Sequence, residues 1–207
     1  MAIRSFEPLL SCGGSCDTLV REAILMGVWT KTWTREEYEL LVHSGVFTPE
    51  ARVQLVLGEI VEMTPQTPAH ATAVRRLQKV MESVFRSGFD VRAQLPLALG
   101  ERSEPEPDIA VVPGSPEDYR THHPSAAVLV IEVSDTTLEF DRTRKLSMYA
   151  QNGIPEYWIL NLAEGTLEVY RDPQGMAYRT ALRLGPHEAV SPLAAPLAQV
   201  AVGDLLP

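Results

Sequence analysis

Asparagine and lysine are nearly missing from this sequence: two Asn (Asn152, Asn161) and three Lys (Lys31, Lys79, Lys145) stand against fifteen Arg. With 16 Pro this is the balance of a heat-adapted protein or a GC-rich genome, and it bears on source, not on function. Cysteine is equally scarce. A lone Cys12-x3-Cys16 pair, with no further cysteine and no nearby histidine, lacks two ligands for a structural zinc site; two ordinary thiols are a simpler reading than a disulfide. No apolar run approaches the roughly 18–20 residues that cross a bilayer, so no membrane partner is expected. Arg4 is followed by no uninterrupted apolar stretch of the secretory kind, and the chain reads as cytoplasmic. Positive charge is also short, with 18 Lys and Arg against 27 Asp and Glu, net −9. That argues against a broad basic face for nucleic acid. It leaves room for a carboxylate cluster that a divalent cation neutralises.

What is present is a globular composition, 45% hydrophobic and 22% charged over 207 residues, enough for one domain with a sizeable core. Residues 1–25 hold both cysteines and a Gly-Gly pair, and Met26 opens a stretch that reads as a start of its own. The expected organisation is an N-terminal extension, 1–25, and a single domain, 26–207. Thr34 and Glu37 form a capping box opening a helix that Gly45 ends. Residues 52–57 and 59–63 alternate as a hairpin around Gly58. Val74, Leu77, Met81, Val84 and Phe85 mark one apolar stripe of a helix over 69–86. A strand over 89–99, a short strand over 108–112 and an almost unbroken apolar strand over 127–133 follow. Then come a helix over 138–152 with Leu146 and Tyr149 inward, a strand over 156–160, and a hairpin of 167–170 with 178–182 around Asp172-Pro173-Gln174-Gly175. Helix, three strands, helix, strand requires a mixed sheet, because short connections make antiparallel neighbours and a helical crossover makes a parallel pair.

Two carboxylates stand out by position. Asp108 opens a buried-looking strand, and Glu132 lies in Val128-Leu129-Val130-Ile131-Glu132-Val133. A carboxylate in so apolar a run is costly unless a cation or several donors compensate it, and two at neighbouring strand ends suit a hard divalent ion. Each has a plainer explanation: a turn residue for Asp108, an ion pair with a helical Arg for Glu132. Lys145 is an ammonium in an arginine-dominated chain, one turn before Tyr149 and on a face shared with Leu138 and Arg142. Taken alone it reads as a solvated helix residue. Glu59 shares strand parity with Val61 and Met63, so it is expected to point inward and join the site. His70 lies on the stripe of Val74 and Leu77, placed to hydrogen-bond an acidic neighbour, and a structural role suits it better than a catalytic one.

Pro107-Asp108, then Glu132-Val133-Ser134, a helix with Arg144-Lys145-Leu146 and Tyr149, and Gly153-Ile154-Pro155-Glu156-Tyr157-Trp158 together resemble the Uma2 endonuclease family, a branch of the PD-(D/E)XK superfamily. The resemblance reaches back to Gly58-Glu59-Ile60-Val61-Glu62-Met63 and His70 and spans about residues 34 to 205. It implies a restriction endonuclease-like α/β fold with an αβββαβ core. It also implies a Mg²⁺- (or Mn²⁺-) dependent endonuclease that hydrolyses phosphodiester bonds in DNA. Asp108 and Glu132 become the metal ligands and Lys145 the catalytic lysine, with Glu59, His70, Ser134 and Tyr149 in support. The superfamily's usual lysine slot, two residues after Glu132, is Ser134, so the role moves to Lys145 on the helix. Two other readings compete. One is a catalytically inactive nucleic-acid-binding or regulatory domain on the same fold. The other, compatible with either, is a homodimer with Trp158 and the 167–182 hairpin as its interface.

Overall fold

A computed structural model describes residues 29–48 and 51–207. The chain divides between Lys31 and Thr32, and the second unit, Thr32–Pro207, is compact. The expected boundary after residue 25, and both cysteines, lie outside the described residues. Among the described residues no helix is long and apolar enough to cross a membrane.

The second unit opens with α1 (Arg35–His43). Its capping box is complete: the Thr34 hydroxyl accepts from the Glu37 amide at 3.2 Å, and the Glu37 carboxylate accepts from the Thr34 amide at 2.9 Å. β1 (Val53–Val56) and β2 (Glu59–Glu62) form the expected antiparallel hairpin. Leu57 and Gly58, at its turn, both have positive φ, 53° and 81°, the left-handed pair that a tight hairpin turn requires.

α2 (Pro68–Val84) starts on Thr67, whose hydroxyl accepts from the His70 amide, with Pro68 at the first helical position, where its missing N–H costs nothing. Ala73, Val74, Leu77 and Met81 form its buried stripe.

The main sheet follows, with strands in order β3 (Phe89–Ala93), β4 (Ile109–Pro113), β5 (Leu129–Ser134), β6 (Glu156–Asn161), β7 (Thr166–Gln174) and β8 (Ala177–Leu184). Only β5 and β6 are parallel. The connection between them is helical: α3 (Leu138–Phe140), a π-helical turn (Asp141–Lys145) and α4 (Leu146–Gln151). The expected mixed sheet and helix-strand order are therefore present. A small pair, β9 (Ala189–Val190) with β10 (Val200–Ala201), and α5 (Val202–Leu205) close the chain.

The fold departs from expectation at three points. The strand expected over 89–99 stops at Ala93, because Gln94 turns left-handed (φ 53°) and Pro96 follows. The C-terminal hairpin is longer than expected and its turn lies nearer the tip: β7 runs through Asp172 to Gln174, and Gly175 and Met176 make the turn. Trp158 is fully buried, so it is not an interface residue.

The two faces of β5 belong to different cores, as the alternation of a pleated strand dictates. Leu129, Ile131 and Val133 pack with α2 and the C-terminal segment. Val130 packs with Met148, Tyr149 and Tyr157. Glu132 shares that second parity, and so it is directed toward the π turn and α4.

Candidate active site

The β4 and β5 register pairs Ile109 with Ile131, which brings Asp108, one residue before β4, beside the Glu132-Val133 segment. The Asp108 carboxylate is held from three sides. Its Oδ2 accepts from the Val133 amide at 2.9 Å and lies 3.2 Å from His70 Nε2, and its Oδ1 accepts from Gln94 Nε2 at 3.0 Å. His70 reaches it from the first turn of α2, which Thr67 ties to Asp135 just past β5 at 2.9 Å. Gln94 reaches it because its left-handed backbone lets its own amide bond the Pro107 carbonyl at 3.1 Å. A non-glycine in that conformation costs roughly 1–2 kcal/mol, and such strain gathers at functional sites.

Glu132, 2% exposed, accepts on Oε1 both the Lys145 ammonium at 2.8 Å and the Tyr149 hydroxyl at 2.7 Å. Lys145, the last residue of the π turn, is itself buried, with Asp141 Oδ1 3.8 Å away. Thr137 donates to the other Asp141 oxygen at 2.6 Å. Helical π turns are rare and recur at functional sites. Here the turn separates two cations that an ideal helix was expected to keep on one face. Lys145 goes to Glu132, and Arg142 goes across to Glu168 on β7 with Nε at 3.0 Å.

The electrostatics follow from burial and proximity. Burial pushes the Glu132 carboxyl up to about 7; Lys145 opposes that rise, while the charges of Asp108 and Asp141 add to it. Burial also works against the Asp108 charge, but the His70 hydrogen bond, Lys145 and the Val133 amide outweigh it and hold that carboxyl below its ordinary value. For Lys145, burial favours the neutral amine, and the carboxylates of Glu132, Asp141 and Asp108 overcome it. Its ammonium therefore stays charged. His70 behaves alike: burial lowers it, Asp108 and Glu132 raise it, and the net shift is upward.

These groups line a cavity of about 180 Å³ that also touches Arg52, Glu62, Gln94 and Glu106. Asp108, Glu132, Lys145 and His70 are therefore brought together, and Tyr149 supports Glu132 from behind. Glu59 is not part of it. Its side chain is 55% exposed and pairs with Arg144 at 2.7 Å, because at the turn end of a two-stranded hairpin no opposing layer covers it. Ser134 is buried beside the Asp141 carboxyl and does not line the cavity. Sequence reasoning missed Gln94, Glu106 and Asp141. Asp141 carries a signal, an acid four residues before Lys145. Gln94 carries none, since its role depends on the strand ending early.

A divalent cation fits this donor set. Among the described residues no three His, Cys, Asp or Glu side chains converge into a closed metal cage. Two carboxylates within an excess of buried negative charge suit instead a hard cation that keeps open positions for water and substrate oxygens, as magnesium does.

The site thus joins a mixed six-stranded sheet to the helical crossover after β5, through the pairing of Glu132 with Lys145. The family model described as "Putative restriction endonuclease", Uma2, matches residues 35–203, and the chain belongs to that family. Among solved structures, it is similar to one described as a putative nuclease belonging to DUF820 from Anabaena variabilis ATCC 29413. The TM-score is 0.66 at 19% identity, covering 83% of this chain and 96% of that one, a likeness of fold. No curated protein matches.

Proposed function

We propose that this protein is a magnesium- (or manganese-) dependent endonuclease that hydrolyses phosphodiester bonds in DNA, with Asp108, Glu132 and Lys145 as its working residues. The observation that carries the reading is the arrangement around Glu132: a buried carboxylate, bonded on one oxygen by Lys145 and Tyr149, lining a cavity with Asp108. Asp108 and Glu132 would hold the cation. When bound, the cation polarises a phosphate and acidifies a coordinated water.

The remaining chemistry belongs to the chain. His70, Gln94 and the Val133 amide fix the Asp108 carboxylate and keep it ionised. Tyr149 fixes the rotamer of Glu132 by donating to Oε1. Lys145 places a permanent positive charge at the cavity wall, where negative charge grows on the phosphate oxygens as the attacking oxygen approaches. Its Nζ protons also orient an attacking oxygen by hydrogen bonding. Asp141, anchored by Thr137, steadies Lys145 from the far side.

A non-cleaving domain on the same fold is the competing reading, and it predicts neither a cut nor a metal-dependent rise in stability. The test is incubation with plasmid, single-stranded DNA and RNA in Mn²⁺, with melting measured in parallel. The wild type should cut DNA, and Mn²⁺ should raise its stability by about 2.7 kcal/mol at 100 times the dissociation constant. Both effects should vanish in Glu132→Ala. A Mn²⁺-dependent cut that survives that substitution overturns the assignment.

A further inference from the structure

A second cleft lies against α1 and the loop between β4 and β5. It encloses about 800 Å³, and Arg35, His43, Arg120, His122 and His123 contribute to its walls. The acids Glu39 and Glu106 line it as well, so groups of both signs stand side by side. The same walls carry Glu104, which is only 8% exposed and leaves Oε2 without a hydrogen-bond partner; Arg35 Nε is likewise buried and unpartnered. Such orphaned groups cost about 1–3 kcal/mol each when nothing fills the space beside them. Tyr119 and His122 meet edge to face at 5.9 Å on the same side. Glu106 lines both this cleft and the catalytic cavity, so the two adjoin.

Those features call for a ligand with an anion, N–H donors and a flat ring, and the cleft volume lies in the range of ligand pockets. We infer that the cleft binds one unpaired nucleotide of the substrate strand beside the cut, its phosphate on Arg35 and Arg120 and the exocyclic amine of its base on Glu104. Carboxylates accept from the cytosine amine, and thymine has no such amine to offer. Single-stranded probes isolate this contact, because in a duplex the same amine keeps one hydrogen for the major groove. The inference rests on the nuclease reading of the neighbouring cavity, since that reading supplies the strand.

The test uses the full chain, fluorescent dC10 and dT10 oligonucleotides, and anisotropy in EDTA, where cleavage does not enter. At pH 8, where Glu104 is ionised, wild type should bind dC10 about tenfold tighter than dT10, as one hydrogen bond to a charged group implies. Arg120→Ala, at an exposed position, should weaken both and lower the slope of log affinity against log salt by about 0.7. Arg35→Ala should do the same. Glu104→Leu should abolish the preference for dC10 and keep the binding of dT10, which also certifies its fold. If wild type binds neither oligonucleotide, or the arginine variants bind both as wild type does, the cleft holds water and no strand, whatever the protein cuts. If the binding pattern appears while wild type cuts nothing in Mn²⁺, the cleft stands and the nuclease reading falls.

Discussion

Glu132 and Glu156 sit on adjacent parallel strands and are both buried, yet their surroundings differ in kind. Glu156 is saturated. Its Oε1 accepts from Trp158 Nε1 at 2.9 Å and from Arg171 at 2.8 and 2.6 Å, and its Oε2 accepts from the Leu193 amide at 2.7 Å. Arg171 continues to the Ser191 carbonyl at 2.7 Å, so the network fastens the C-terminal segment to the sheet. Glu132 takes both its bonds on one oxygen, faces a cavity and has Asp108 and Asp141 as acidic neighbours. A buried carboxylate with every acceptor filled by its own chain is a fastener. One left partly open beside other acids is poised to take something from outside. By that criterion Glu104 falls with Glu132 and not with Glu156.

The largest effect on stability is expected at Glu156. Glu156→Ala strands Arg171, the Trp158 indole and the Leu193 amide, and breaking a buried pair from one side costs about 3–5 kcal/mol. Glu132→Ala should cost less than half as much, because Asp141 and Asp108 remain to pair Lys145 and one repelling acid is gone. Urea unfolding of both variants checks the ranking, and equal losses would erase the distinction between fastener and open site. Lys145→Met comes next, at about 1–3 kcal/mol. Glu132 answers the loss of its cation by binding a proton, so the cost should be smaller at pH 6 than at pH 8. Its cleavage should fall at least about 10²-fold, as for loss of a transition-state donor. Lys145→Arg should not restore it, because the planar fork does not reproduce a point charge.

The last effect is electrostatic and concerns Glu104. Burial, with the neighbouring charge of Glu39, pushes its carboxyl from 4.5 to about 7. The folded chain therefore binds more protons than the unfolded chain between those values, and this group's contribution to stability falls as pH rises through that window. Glu104→Gln should then leave stability nearly unchanged at pH 4.5 and raise it at pH 8, as thermal melts at the two values would show. A lower melting point at pH 8 would mean that Glu104 is a fastener after all.

Much of the fold is legible in the sequence. The capping box at Thr34, the α2 stripe and the apolar β5 run each carry a local signal with a physical cause, and together they specify a mixed sheet. Glu132 is legible because an acid in an apolar strand is energetically conspicuous. Glu59 misleads because strand parity assigns a face without saying whether anything covers it, and a two-stranded hairpin leaves that face in water. Gln94 is invisible because periodicity continues past the point where its backbone turns left-handed. The π turn is invisible for a similar reason, since an ordinary helical period describes Leu138 to Gln151 well enough.

Hydrophobic period and connection length are local properties, and they suffice to dictate which elements form, in what order, and that Asp108 and Glu132 end up on neighbouring strands. Three outcomes lie beyond them: Lys145 meets Glu132, Arg142 does not, and Glu104 is left with an open oxygen beside Arg35. Those were decided by tertiary packing, through the phase of one helical turn and through which surfaces cover which charges, and no local pattern encodes either.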